Sequence, residues 1–321
     1  MFTLRILSRI FLNTLNMSKV STAQMNTAEI LKLAQSCIPA LDNKKHKGQA
    51  GRIGIIGGSL EYTGAPYFAG ISALKVGADL VHIFCASQAA TVIKSYSPEL
   101  IVHPLLDDKN AVEKISPWFE RLHAIVIGPG LGRDSNIFSV TSELIRVIRE
   151  KQIPLVIDAD GLFLITENCN LIQDFNSPII LTPNKIEFER LCNKIDISSK
   201  LINKGSNITI LKKGEIDELL SPNDNVRWSS NIGGSGRRCG GQGDILSGSI
   251  ATFLHWTLLG TDNIYNGEND KQLVASSIAC YGASLLVRKC NEEAFKIKGR
   301  SMLATDMIEY IHTVFNDLYE K

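Results

Sequence analysis

Between residues 51 and 214 the chain alternates short runs rich in Val, Ile and Leu with longer amphipathic stretches: GRIGIIGG, DLVHIFCA, LIVHPLL, HAIVIGPG, IPLVIDAD, PIILTPN and NITILKKG. Near-continuous apolar runs are strands buried on both faces, and strands separated by helix-length spacers pair in parallel. The rhythm therefore predicts an α/β domain, a mostly parallel central sheet with helices on both faces. APYFAGISALKVGA fits a helix opened by Pro66 and closed near Gly77. Around residues 214–232 the rhythm breaks, and EIDELLSPNDNVRWSSNIGG predicts a hairpin turning at SPND. Beyond it, DILSGSIATFLHWTLLG and KQLVASSIACYGASLLVRKC predict two long, largely apolar helices. No internal repeat or low-complexity linker interrupts this order. One domain is expected over residues 26–321, with its core from about residue 43.

The first 25 residues stand apart. MFTLRILSRIFLNTLNMSKV carries Arg5, Arg9 and Lys19, has no acid before Glu29, and could line one helix face with Phe2, Ile6, Ile10 and Leu12. That is the pattern of a mitochondrial transit segment; a disordered tail is the alternative. Starts at Met17 or Met25 would give a cytoplasmic form. A net charge of +1 with 21% charged residues gives no basis for a nucleic-acid-coating surface or a polybasic membrane face. No run of 18 uncharged apolar residues occurs. The seven cysteines are scattered without a CxxC pair and read as reduced thiols.

In such sheets ligands bind beyond the carboxyl ends of the strands, and there the polar and glycine-rich clusters fall: GGSLEYTG, GPGLGRD, DADG, TPNKIEFE, KKGEID and GGQGD. GIIGGSLEYTGAP misses the GxGxxG spacing of a dinucleotide fingerprint, and neither a Walker loop nor a GxSxG elbow is present. In GGQGD, Gly240, Gly241 and Gly243 would free backbone N–H groups at a helix N-terminus, an anion hole for a phosphate in transfer. Asp244 follows in the first turn, where it could take the proton of an attacking hydroxyl; the alternative is a helix cap after a turn. Of Arg237 and Arg238, adjacent and so oppositely directed, at most one is expected to face a ligand. Cys239 reads as packing or solvent-facing. Asn184 and Glu187 have the spacing of a capping box, or else they face a magnesium–phosphate region; both readings stand. Lys212 and Lys213 end a strand where a base or a phosphate could pack.

GPGLGRD, VIDADGL, LTPNKIEF, LKKGEID and GSGRRCGGQGDILSG, in this order, closely resemble the ATP-dependent (S)-NAD(P)H-hydrate dehydratase family, eukaryotic branch, over roughly residues 43–321. The resemblance implies a ribokinase-like three-layer αβα fold. It also implies a repair reaction in which ATP and Mg²⁺ serve to phosphorylate the C6 hydroxyl of hydrated NADH or NADPH (NADHX, NADPHX) and eliminate phosphate. Asp244 would be the catalytic base. Hydrate-binding positions carried over by motif are Gly130, Asn184, Lys185, Ile186, Glu187, Phe188, Glu189, Arg190 and Asp244. ATP-binding positions are Lys213, Gly214, Glu215, Ile216, Asp217, Ser235, Gly236, Arg237, Arg238, Cys239, Gly240, Gly241, Gln242 and Gly243. Mg²⁺ would be held mainly through ATP phosphates, with Asn184 and Glu187 as the candidate protein ligands. A bulkier residue is expected where Gly236 stands. The implied functional partner is an NAD(P)HX epimerase, with no nucleic acid and no membrane; the number of subunits stays open. The rival reading is a small-alcohol kinase of the same fold, of the thiazole or pyrimidine kinase type.

Overall fold

The computed structural model describes residues 26–44, 46–264 and 270–320; the transit-like segment, residues 1–25, lies outside them. Seven apolar runs become parallel strands: β1 (Arg52–Ile56), β2 (Leu80–Cys85), β3 (Ile101–Pro104), β4 (Ala124–Ile127), β5 (Leu155–Ile157), β6 (Ile179–Leu181) and β7 (Ile208–Lys212). Two antiparallel strands, β8 (Asp217–Leu220) and β9 (Trp228–Ser230), complete a nine-stranded sheet of order β3-β2-β1-β4-β5-β6-β7-β8-β9. The order reverses between β1 and β4, and a crevice opens at the carboxyl ends of strands on either side of such a switch point.

Side-chain alternation on these strands feeds two separate cores. Ile53, Ile55, Val81, Ile83, Val126, Val156 and Ile180 point to one, and Ile56, Phe84, Ile127, Leu155, Ile157 and Leu181 to the other. The first core is covered by α1 (Thr27–Cys37), α2 (Gly64–Val76), α3 (Ser87–Tyr96), α9 (Gln242–Ile264), α10 (Lys271–Lys298), α11 (Ala304–Glu309) and α12 (Ile311–Tyr319). The second lies under α4 (Ala111–Ile115), α5 (Ser135–Glu150), α6 (Ala159–Glu167), α7 (Lys185–Lys194) and the short α8 (Ile197–Lys200). This is the expected three-layer αβα arrangement.

Three details differ from the sequence reading. The core reaches back to Ile30 and Ala34 on α1, both fully buried, ahead of the expected start near residue 43. Pro66 is the third residue of α2, which opens at Gly64. SPND is only the first part of the β8–β9 connection: a 3-10 turn at Asp224–Val226 follows, and Arg227 closes the loop by donating to the Ser221 carbonyl. The most apolar window along α10 is 89% buried inside the protein, so this long apolar helix is a core helix by its packing.

Candidate active site

The floor of the site is made where two strand-end loops interlock. Gly128, just after β4, has φ 121°, and a Cβ there would lie 1.8 Å from the Asp158 carbonyl. Only glycine lets the turn after β5 approach so closely. That turn presents Asp158, 2% exposed, whose Oδ1 receives Lys213 Nζ at 2.7 Å. Lys213 comes from the end of β7, its backbone N–H held by the Pro183 carbonyl at 2.8 Å. A buried carboxylate is tolerable because this ammonium neutralises it.

Over this pair stands the start of α9. Gly243 is its second residue, and a Cβ there would lie 3.2 Å from Lys213 Nζ and 3.6 Å from Asp158 Oδ2. A side chain at this position would fill the space where a phosphate can meet both the lysine and the helix N-terminus. Asp244 follows in the first turn. Burial pushes its carboxyl up to about 7, the nearby Asp158 and Glu187 carboxylates add to the rise, and Lys213 opposes it. Burial draws the Lys213 ammonium down, but Asp158, Glu187 and Asp244 outweigh this and raise it. One cation therefore serves three acids.

Asn184 and Glu187 do form a capping box at the start of α7: Glu187 N–H donates to Asn184 Oδ1 at 3.0 Å, and Asn184 N–H to Glu187 Oε2 at 2.8 Å. Glu187 nevertheless faces the charged cluster. Burial raises its carboxyl, while Lys213 and the Asn184 N–H pull it back. The two readings are compatible in one side chain.

Two cavities meet at Asn184, which lines both. The larger, about 340 Å³, is bounded by Lys213, Gly214 and Asp217 after β7, by Gly234, Arg238, Cys239, Gln242, Gly243 and Leu246, and by Ser284, Val287, Arg288, Asn291 and Met307. The smaller, about 190 Å³, is bounded by Arg133, Ala159, Asp160, Asn184, Ile186, Glu187 and Arg190. The larger falls in the range of a small-molecule site.

Among the positions assigned to ATP, Lys213, Gly214, Asp217, Arg238, Cys239, Gln242 and Gly243 border the larger cavity. Glu215 and Ile216 are exposed outside its lining, as are Gly236 and Gly240 in open space. Gly236 has no atom within 4 Å of a Cβ built on it, so a bulkier residue would have room there. Gly241 packs against Phe68 and Ala304. Arg237 spends its guanidinium on the Met302 and Arg238 carbonyls, leaving Arg238 as the one arginine of the pair at the cavity. Ser235 donates to Asn291 Oδ1 at 2.6 Å. Cys239 packs against the first core and accepts from Gln242.

Among the hydrate positions, Asn184, Ile186, Glu187 and Arg190 border the smaller cavity. Lys185 and Glu189 are exposed, and Phe188 packs on the second core. Gly130 is buried beneath Tyr62, and its carbonyl accepts the Gly58 N–H at 3.0 Å. It therefore supports the loop after β1 and does not line either cavity.

Several site residues escape local motifs. Asp158 sits in the flagged DADG cluster, but its role depends on a lysine 55 residues later. Arg288 on α10 donates to the carbonyls of Gly214, Glu215, Ile232 and Gly233, joining the two loops that flank the larger cavity. Asp217, 5% exposed, is held by Ser284 Oγ at 2.7 Å and the Gly214 N–H at 2.9 Å. Ser284, Arg288 and Asn291 recur at helical spacing along α10, where its apolar run gives way to a charged C-terminal part. That polar stripe is the signal that could have found them.

The model of the NAD(P)H-hydrate dehydratase family matches residues 53–313. The ATP-dependent (S)-NAD(P)H-hydrate dehydratase of Aedes aegypti is 54% identical over 304 residues, covering 94% of this chain and 89% of that protein. The Homo sapiens protein of the same name is 48% identical over 301 residues, 90% of this chain and 84% of that protein. Among solved structures, the Bacillus subtilis ADP/ATP-dependent NAD(P)H-hydrate dehydratase co-crystallised with ATP/Mg²⁺ superposes with a TM-score of 0.67 at 20% identity, covering 90% of this chain and 97% of that one. A ribokinase-like superfamily protein from Enterococcus faecalis gives 0.70 at 20% identity, covering 93% and 96%.

Proposed function

This chain belongs to the NAD(P)H-hydrate dehydratase family, and from that premise we propose that it carries out the ATP-dependent dehydration of the S epimer of hydrated NADH and NADPH, returning the reduced cofactors. The observation that carries the reading is a pair of cavities that share Asn184, the larger reaching Lys213 and the smaller Glu187 of one charged cluster. ATP enters the larger cavity, its terminal phosphate toward Gly243 and Lys213, and the hydrate approaches through the smaller one. Asp244 takes the proton of the C6 hydroxyl as that oxygen bonds to the γ-phosphorus and ADP leaves. A carboxyl that titrates near 7 is a stronger base than an ordinary aspartate and is still ionised in useful amount at neutral pH. The helix N-terminus and Lys213 stabilise the charge that develops on the transferring group. The nitrogen lone pair of the nicotinamide ring then expels phosphate from C6, and loss of a C5 proton restores the ring double bond.

The donor set suits a hard cation held chiefly by phosphate. Among the described residues no group of three or more His, Cys, Asp or Glu could hold a metal alone, and one oxygen each of Asn184 and Glu187 is engaged in the capping box. Their remaining lone pairs would be the protein's contribution to Mg²⁺, which when bound would supply positive charge to the phosphate oxygens. A mitochondrial form directed by residues 1–25, and a cytoplasmic form begun at Met17 or Met25, are part of the proposal. So is an epimerase that supplies the S hydrate from the R. Incubation of the full chain with ATP, Mg²⁺ and hydrated NADH tests the reaction. The near-ultraviolet absorbance of reduced nicotinamide should return with one phosphate released per turnover. A stable phosphoester with no absorbance gain would instead identify the small-alcohol kinase.

A further inference from the structure

The smaller cavity holds a pair of guanidiniums that phosphoryl transfer itself does not use. Arg133, after β4, and Arg190, on α7, approach the same ring: their ζ-carbons lie 4.1 Å and 5.6 Å from the centroid of Phe163 on α6. Both arginines line the cavity. Stacking on an aromatic face holds a guanidinium's plane while leaving its N–H edge available. Arg133 commits only Nε, to Asp160 Oδ1 at 3.0 Å. Arg190 makes no hydrogen bond or ion pair among the described residues.

The acids beside them are already engaged. Asp160 accepts from Arg133 and, through its other oxygen, from the Gly132 N–H at 3.1 Å. Glu187 accepts the Asn184 N–H and faces Lys213, and more weakly the charge of Arg190. The guanidinium edges that remain are the cavity's uncommitted donors, and their fork geometry matches phosphoryl oxygens. ATP has its own phosphate path in the larger cavity. A second phosphate-bearing substrate has to reach the cluster from the other side of Asn184, where these arginines stand.

We propose that Arg133 joins Arg190, a hydrate position already implied by motif, and that the two, seated on Phe163, clamp a phosphoryl group of the hydrated dinucleotide and so set its affinity. The inference rests on the dehydratase reading. The group is either the diphosphate that NADH and NADPH hydrates share or the 2′-phosphate that only the NADPH hydrate carries.

Steady-state kinetics of the full chain with each hydrate, for Arg133→Gln, Arg190→Gln, the double variant and both Arg→Lys variants, distinguish these sources. Loss of a charge-assisted pair should raise the hydrate KM about 10- to 100-fold with kcat and the KM for ATP kept, and lysine should restore part of it. A rise with both hydrates assigns the diphosphate, and a rise with the NADPH hydrate alone assigns the 2′-phosphate. An unchanged KM in the double variant, or an ATP KM that rises in step, overturns the clamp. Dissociation constants for NAD⁺ and NADP⁺ on the same proteins read the clamp without turnover. If the wild-type chain consumed no hydrate while these constants still weakened in the variants, the reaction assignment alone would fall.

Discussion

At the residue scale the site depends on one lysine shared among three acids. Asp244 titrates at about 7 in the folded chain, against 3.8 ordinarily. A raised carboxyl stabilises the fold while protonated, and that contribution is lost as pH climbs from about 4 through about 7. Two outcomes follow for Asp244→Asn. Turnover should fall by about 10²–10⁴ with nucleotide affinity largely kept, and the Tm should exceed that of wild type at pH 8, by a margin that shrinks toward pH 5. The buried charge removed corresponds to about 2–4 kcal/mol. A variant with near-normal turnover of hydrated NADH would leave Asp244 as an ordinary first-turn acid. For the wild-type enzyme, kcat/KM should rise with pH to a plateau above about 7. Lys213→Met removes the neutralising charge beside Asp158 and the positive charge that lowers Asp244. We expect a loss of about 3–5 kcal/mol of stability and, in the protein that still folds, a pH–rate limb displaced upward. Thermal melts and a pH series on the same preparation check both.

At the element scale, α7 begins with a capping box that is also part of the charged site, and two substitutions separate these roles. Glu187→Gln keeps an acceptor for the Asn184 N–H, so its stability should stay within about 0.5 kcal/mol of wild type while turnover falls. Glu187→Ala should lose turnover and about 1 kcal/mol besides. If Glu187→Gln turned over normally, the residue would be a cap and nothing more. The strands were legible from sequence because burial on both faces leaves unbroken Val and Ile runs. The α9 entrance was legible because its glycines and Asp244 act within a few residues of one another. Asp158 was visible only as part of DADG, since its partner lies on another strand. Arg288 was not recognised at all, because it stands inside a helix whose composition reads as core. Whether Asn184 and Glu187 cap or bind was undecidable from spacing, since both roles place the same two residues at the same helix start.

At the scale of the whole molecule, the core was expected only from about residue 43, yet Ile30 and Ala34 of α1 are fully buried in the first core. A chain starting at Met25 keeps the Asn26 cap and all of α1, so it should be soluble, with wild-type activity and Tm. One starting after Cys37 gives up burial worth about 3 kcal/mol or more and should melt markedly lower. Expression of both forms with melts and activity side by side makes the comparison, and equal stability would show α1 to be an accessory. The helix also ties the two ends of the fold together: Gln35 donates its side-chain amide to the Leu318 carbonyl, 283 residues away. Contacts of such sequence separation close late. As the chain leaves the ribosome, its first helix must wait for its last, and that face of the core stays open until synthesis is nearly done. Were residues 1–25 the import segment proposed above, the delay would keep the chain threadable for as long as it is being made.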